Sequence, residues 1–213
     1  GSSNRVMATE LYVVRHGQRR DSVDPDWEDA ADRVHDPPLT ELGRWAAWRV
    51  GRRFAETGPE FDVVYASPFL RTVETADKIC REVGTTVGLE PGLGEYRNPE
   101  WFDADPETLP PDRLSERFGT VRVGHTPHVV PAFPETHDAA RARIATATRR
   151  LAEGTHGSVL VVGHGITVAG VIEGLVGSDA DVEAPLCGVT RLEATGESTW
   201  RLEYTGDTSH LDV

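Results

Sequence analysis

Two histidines stand where an apolar run gives way to glycine, and both have the surroundings of a reactive imidazole. The first lies in Arg15-His16-Gly17-Gln18-Arg19, directly after Leu11-Tyr12-Val13-Val14. Two guanidiniums so close in sequence repel each other unless an anion or solvent screens them, and their planar forks match phosphate oxygens. Gly17 permits close backbone approach. A basic surface turn is the plain alternative. The second histidine lies in Val162-Gly163-His164-Gly165, after the most apolar run of the chain, Ser158 to Val162. A lone histidine is usually structural, but flanking glycines allow a sharp turn that exposes the ring. These glycines lack the third glycine and the acidic ribose ligand of a dinucleotide fingerprint.

Two further stretches complete a set. In Ser67-Pro68-Phe69-Leu70-Arg71-Thr72-Val73-Glu74-Thr75-Ala76, Arg71 falls in the first turn of a helix. A cation is unfavourable there unless a bound anion removes the penalty and uses the free N–H groups. The alternative is an arginine that snorkels to solvent. Ser67 reads as a helix cap and Thr75 as a helix-face residue. In Glu90-Pro91-Gly92-Leu93-Gly94-Glu95-Tyr96, Glu95 is placed to act as general acid and base, with Glu90 the competing carboxylate and a simple salt bridge the alternative role. This inventory suits phosphoryl transfer, which needs positioning and positive charge more than covalent chemistry. His16 must be neutral to attack, and neighbouring cations favour the neutral imidazole. The set calls for no metal. His125 and His128 lie in a Pro-rich stretch with no carboxylate cluster nearby and read as surface or substrate-loop residues.

The elements that must hold these residues alternate between strand and helix, the pattern of an α/β fold. Strands are expected at Leu11–Val14, Asp62–Tyr65, Thr85–Leu89 and Ser158–Val162, with a closing hairpin formed by Val189–Ala194 and Thr199–Tyr204. Thr40 is a candidate N-cap for a helix through Leu42, Trp45, Ala46, Val50 and Phe54. Ser67-Pro68 opens a helix to about Val83, stopped by Gly84. Further helices are expected over Thr136–Ala152 and Ile166–Val176. The stretches 21–38 and 97–134, rich in Pro and charge, fit no regular element; long loops that follow candidate catalytic residues read as walls of a substrate pocket.

Composition narrows the field. The chain has 213 residues and a net charge of −13, which argues against a nucleic-acid partner because a phosphate backbone needs a basic face. No stretch approaches the roughly 20 apolar residues of a membrane span. Lys78 is the only lysine, and an acidic, Arg-rich, Lys-poor chain fits salt adaptation and a GC-rich genome equally well. Cys80 and Cys187 match neither a metal spacing nor a disulfide framework, so reduced thiols in a cytoplasm are expected. Gly1-Ser2-Ser3 reads as an expression scar, with 1–6 a tag remnant and Met7 the native start.

Taken together, Arg15-His16-Gly17, the Ser-Pro-x-x-Arg-x-x-x-Thr-Ala pattern from Ser67 to Ala76, and Gly163-His164-Gly165 resemble the histidine phosphatase superfamily, the phosphoglycerate-mutase-like fold, in order and spacing over essentially the whole chain. The resemblance implies a three-layer α/β/α sandwich with a mostly parallel central sheet, a single domain over 7–213. It implies that His16 becomes a phosphohistidine, that Arg15, Arg71 and His164 hold the phosphoryl oxygens, and that Glu95 is the proton donor. Arg19, with Gly17 and Gln18, is implied to bind substrate. Arg19 and the stretches Asp36–Gly43 and Glu90–Tyr96 are most similar to the phosphatase domain of the ubiquitin-associated and SH3-containing (Sts-type) proteins, from which this sequence departs by Gln18 in place of Glu; no adaptor domains are expected. The expected activity is metal-independent hydrolysis of phosphomonoesters without a cofactor. The expected partner is a small-molecule phosphomonoester or a phosphorylated peptide, with no nucleic acid and no membrane, and the expected protein is a cytoplasmic monomer or homodimer. A phosphoglycerate mutase is disfavoured because Tyr96-Arg97-Asn98-Pro99-Glu100 replaces the Glu-Arg-His-Tyr-Gly that follows the donor in mutases. A catalytically inactive phospho-ligand binding module is the third alternative, and no residue favours it.

Overall fold

The computed structural model describes residues 7–213; the expected tag remnant, 1–6, lies outside the described residues. The apolar runs become strands β1 (Ala8–Arg15), β2 (Val63–Ala66), β3 (Val87–Leu89) and β4 (Gly157–Gly163), followed by β5 (Val189–Ala194) and β6 (Trp200–Asp207). Among the described residues they form one six-stranded sheet in the order β3-β2-β4-β1-β5-β6. The first four are mutually parallel; β5 runs antiparallel to β1, and β6 antiparallel to β5. The sheet is thus mostly parallel with an antiparallel edge, a combination common in open α/β sheets.

The period-two alternation of the strands sorts their side chains onto two cores. Tyr12, Val14, Val64, Ala66, Leu160 and Val162 pack on one face against α2 (Glu41–Thr57) and α3 (Leu70–Val83). Leu11, Val13, Val159 and Val161 pack on the other, against α5 (His137–Glu153) and α6 (Gly165–Val176). Helices on both faces make the three-layer α/β/α sandwich. Thr40 caps α2 by accepting a hydrogen bond from the Gly43 N–H, and Thr136 caps α5 through the Ala139 N–H. Gly84 ends α3 at φ +74°, the left-handed conformation that favours glycine at a helix C-terminus.

Two expectations need correction. The stretches 21–38 and 97–134 are not devoid of regular structure: they carry the short helices α1 (Trp27–Ala30) and α4 (Pro111–Arg117). In α4, Pro110-Pro111 supplies the pre-set φ of a helix start, and Leu114 anchors the turn in the core. Ser67 does not cap α3. The helix begins two residues later than Pro68 implies, its cap residue Phe69 offers no side-chain acceptor, and the carboxylate of Asp36, reaching over from the first long loop, accepts from the Leu70 N–H at 2.6 Å. The cap is supplied by a residue 34 positions away, which local spacing cannot reveal.

Candidate active site

Parallel pairing brings the separate motifs to one edge. Arg15 pairs with Gly163 at the carboxyl ends of β1 and β4, so His16 and His164 leave the sheet side by side, with ring centroids 5.5 Å apart. Ser67 leaves β2 next to them, its N–H donating to Val162 O. Ligand sites of open α/β sheets lie beyond these carboxyl ends.

His16 is 1% exposed, and its Nδ1 lies 2.7 Å from Gly17 O. A carbonyl can only accept, so Nδ1 carries the proton and Nε2 holds a free lone pair. Burial holds the imidazole well below its ordinary pKa, and the Arg71 guanidinium, His164 and Arg15 push it further the same way. The ring is therefore a neutral base with its nucleophilic nitrogen uncommitted at neutral pH. Gly17 has a packing reason: a Cβ there would lie 2.7 Å from Gly43 O of α2. Its N–H donates to Thr75 Oγ1, which itself donates to Arg71 O, so Thr75 ties the His16 turn to α3.

Around His16 the positive groups converge. Arg71 is 1% exposed, and its Nη2 donates to Glu95 Oε2 at 3.1 Å. Burial lowers its pKa to about 10, against the raising effect of the Glu95 carboxylate, so it keeps its charge. His164 is fully buried, with Nε2 2.8 Å from Ser67 Oγ and Nδ1 3.4 Å from Glu95 Oε2. Burial carries His164 down to about 4 in spite of that carboxylate. Glu95 moves the other way. Burial alone would raise it, but His164, Arg71 and the Tyr96 N–H at 3.0 Å outweigh burial and hold the carboxyl well below the ordinary range. Three buried donor-type nitrogens in this cluster, Arg15 Nε, Arg71 Nε and His164 Nδ1, have no hydrogen-bond partner. Orphaned buried donors are costly and rare; three in one cluster with two guanidiniums suit an anion.

The rest of the constellation is supported from farther along the chain. Arg15 Nη1 donates to Ala184 O at 2.8 Å. The Cys187 N–H donates to Arg15 O and His16 O at 3.0 and 3.3 Å. Cys187 has φ +54°, a left-handed conformation uncommon for a residue with a side chain. His210 Nε2 donates to Cys187 O at 2.8 Å, while Arg53 donates to His210 Nδ1 at 3.1 Å. This strap, 184–188, clamps β1 at the point where the site begins.

A cavity of about 620 Å³ is lined by Arg15, Arg71 and Glu95, while His16 and His164 themselves are buried. Arg19 lines it but is bound through Nε and Nη2 to Asp21 at 2.9 and 2.6 Å. Gln18, expected among the substrate-binding residues, turns away: its Oε1 accepts from Thr40 Oγ1 at 2.8 Å at the head of α2. Of the two carboxylates, Glu95 lies beside His164, whereas Glu90 is bound elsewhere. It is fully buried and accepts from the Gly92 and His128 N–H groups and from His125 Nε2, each at 2.8 Å. His125 and His128 thus do have a carboxylate beside them, contrary to expectation, and their donor atoms and those of Glu90 lie within 4.8 Å of one another. With its oxygens taken up by backbone N–H groups, Glu90 ties the second long loop to the end of β3.

Sequence reasoning missed Ser67 as the partner of His164 and missed the strap altogether. The left-handed Cys187 and the distant His210 carry no local signal.

The chain is similar to several known proteins. The model of the histidine phosphatase superfamily (branch 1) matches residues 11–208. A probable phosphoglycerate mutase from Erwinia tasmaniensis is 29% identical over 215 residues, covering 95% of each chain. An ecdysteroid-phosphate phosphatase from Bombyx mori is 34% identical over 146 residues, covering 63% of this chain and only 22% of that larger protein. The crystal structure of the ecdysone phosphate phosphatase from the same insect, in complex with tungstate, superimposes with a TM-score of 0.80 at 24% identity, covering 93% of both chains.

Proposed function

The chain belongs to the histidine phosphatase superfamily, and on that premise we propose that it is a phosphomonoesterase working through a phosphohistidine on His16. One observation carries the reading: three unpaired buried donors, Arg15 Nε, Arg71 Nε and His164 Nδ1, surround an imidazole whose Nε2 is free to attack.

In the structure the Glu95 carboxylate is the anion beside these cations and donors, 3.1 Å from Arg71 Nη2 and 3.4 Å from His164 Nδ1. An entering phosphomonoester dianion takes those donors over and displaces it. The displaced carboxyl loses the cations that held its pKa down and gains a dianion beside it, so it picks up a proton. His16 Nε2 then attacks phosphorus, and the bond from phosphorus to the ester oxygen breaks. Glu95 gives its proton to the leaving alcohol. The imidazolium of the phosphorylated ring is held by the Nδ1–H bond to Gly17 O. Water attacks the phosphohistidine, Glu95 takes its proton, the nitrogen–phosphorus bond breaks, and inorganic phosphate leaves. Guanidinium groups supply the charge and the His164 imidazole a hydrogen bond at the transition state, which supports a metal-independent enzyme.

Within the superfamily the reading nearest to this chain is the Sts-type phosphatase branch, supported by Arg19 after the Arg-His-Gly motif and by the likeness to the ecdysteroid-phosphate phosphatase. Unpaired, buried Cys80 and Cys187 support a reducing, cytoplasmic setting.

The test is steady-state hydrolysis of p-nitrophenyl phosphate with EDTA present, for the wild type and His16→Ala. Turnover by the wild type that disappears in His16→Ala supports the reading. Turnover that survives the substitution assigns the nucleophile elsewhere, and turnover abolished by EDTA refutes metal independence.

A further inference from the structure

The second long loop carries two histidines that phosphoryl chemistry does not use. His125 Nε2 lies 2.8 Å from Glu90 Oε1, and one donor atom each of His125, His128 and Glu90 lie within 4.8 Å of one another. The His125 ring is held between Tyr65 of β2 and His128, with centroids 4.7 and 5.3 Å away. Glu90 is 0% exposed, and among the described residues its one ion-pairing partner is His125; no arginine or lysine pairs with it. Arginines of the neighbourhood are engaged otherwise: Arg150 donates to His128 O, and Arg122 sits over the Tyr65 ring, 5.1 Å from its centroid. A buried carboxylate without a full countercharge is unfavourable. Its orientation is nonetheless fixed, because the Gly92 N–H donates to Oε2 and the His128 N–H to Oε1, each at 2.8 Å. An oxygen that accepts one backbone N–H keeps a lone pair for a second partner.

We propose that Glu90, His125 and His128 form a zinc site that fastens the second long loop to the end of β3, apart from the phosphoryl chemistry. Two imidazoles and one carboxylate are a donor set that suits zinc, with water in the fourth position. Ligand atoms about 2.0–2.1 Å from a tetrahedral zinc stand roughly 3.3 Å from one another. The 2.8 Å between Glu90 Oε1 and His125 Nε2 and the 4.8 Å bound on the trio bracket that spacing, so small rotations of the two half-buried histidines close the shell. In the structure the His125 Nε2 proton makes the hydrogen bond to Glu90. Zinc takes the place of that proton, which the neutral ring then carries on Nδ1. The backbone N–H groups keep their hold on Glu90 and orient it as the outer donors of a metal site do. The dication supplies the charge that the buried carboxylate lacks. His125 also lines a cavity of about 290 Å³ with Pro68, Pro91, Leu109 and Arg122, which gives an ion a path from solvent. None of the three ligands lines the cavity over the phosphoryl cradle.

The test titrates zinc alone into the whole chain after stripping with a chelator, with a chromophoric chelator as competitor. One equivalent should bind with a Kd of about 1 μM, weaker than a four-ligand structural site. Magnesium should not compete, because imidazole ligands favour zinc. Zinc at about 100 times that Kd should raise the melting temperature by about 5–10 °C. His128→Ala and His125→Gln should each weaken binding about 100-fold and abolish the rise. The Gln amide can still donate to Glu90, so His125→Gln removes the metal ligand while keeping the hydrogen bond that anchors the loop. His16→Ala is the control for zinc held by the active-site histidines. Zinc that binds His16→Ala as tightly as the wild type, and both loop variants far more weakly, supports the site. No binding at about 100 times the expected Kd overturns it, and so does binding that is lost in His16→Ala but kept in His125→Gln. Zinc bound through the loop histidines without a rise in melting temperature overturns the fastening role.

Discussion

Replacing Glu95 by Gln keeps the shape of the side chain, removes its charge, and separates the two roles assigned to it. Arg71 Nη2 lies 3.1 Å from the carboxylate in a site where Arg71 is 1% exposed. Two unit charges at that separation attract by about 5 kcal/mol at an effective dielectric of 20. Hydration and the neutral amide that replaces the carboxylate recover much of this, so a net gain of roughly 1.4–2.8 kcal/mol for a competing anion is the working figure, a ten- to hundredfold tightening of inorganic phosphate. Calorimetric titration of phosphate into wild type and variant reads it directly. The same substitution leaves Arg71 buried and unpaired, which costs on the order of 3 kcal/mol. At roughly 2–4 °C per kcal/mol for a chain of this size, the phosphate-free variant should melt about 6–12 °C lower, and saturating phosphate should restore most of the loss. Without the proton donor, kcat for an alkyl phosphate should fall about 10²–10⁴-fold. p-Nitrophenyl phosphate, whose leaving group departs as the anion, should lose much less. Phosphate binding that is unchanged or weaker in Glu95→Gln would refute the exchange of carboxylate for phosphoryl group. Equal losses for the two esters would refute the proton-donor role.

Three other expectations are independent of that one. Ser67→Ala removes the only side chain on His164 Nε2, 2.8 Å away, and frees the ring to place its single proton on either nitrogen; kcat/KM should fall about tenfold at pH 7, measured on p-nitrophenyl phosphate. His210→Ala unfastens the strap behind Arg15 and His16 and should lower kcat about tenfold with KM little changed, whereas His210→Gln, which can still donate to Cys187 O, should recover part of it; a loss not rescued by Gln would mean His210 only supports the fold. Stability should fall on acidification. His164 titrates near 4 in the fold against 6.5 in the unfolded chain, so the unfolded state binds more protons between those values, and this residue's contribution, complete above pH 6.5, is lost as the pH drops towards 4. The loss is roughly 3 kcal/mol for His164, with His16 and Glu95 adding in the same direction, and guanidinium unfolding at pH 7.0 and 4.5 measures it.

The sequence made the site legible where its chemistry is local and periodic. A strand that ends in Arg-His-Gly, another that ends in Gly-His-Gly, and parallel pairing of the two are enough to set His16 beside His164, because the register of β1 on β4 follows from buried apolar faces. Arg71 was legible because a cation in the first turn of a helix asks for an explanation. What escaped was contact across the chain. Asp36 capping α3, Ser67 serving His164, and His210 holding Cys187 join segments 34, 97 and 23 residues apart, and each uses a side chain that looks ordinary in its own neighbourhood. The same limit applies to Gln18, whose partner in space, the cap of α2, is not legible from its neighbours in sequence.

Glu90 and Glu95 show why residue type alone could not settle the site. They stand five residues apart on either side of one short turn, and either could have been written into the mechanism. Glu90 follows the β3 hydrogen-bonding line inward, its N–H donating to Ala66 O, and its oxygens are consumed by N–H groups of Gly92 and His128 with His125 beside them. A carboxylate satisfied mainly by backbone donors has fixed partners that no ligand can replace without unfolding the loop. Glu95, on the other side of the turn, faces Arg71 and His164, through Arg71 Nη2 and His164 Nδ1. Its partners can be taken over by a better anion, and when they are, its own protonation changes. Exchangeable partners make Glu95 suited to acid–base work, and fixed ones make Glu90 a clamp.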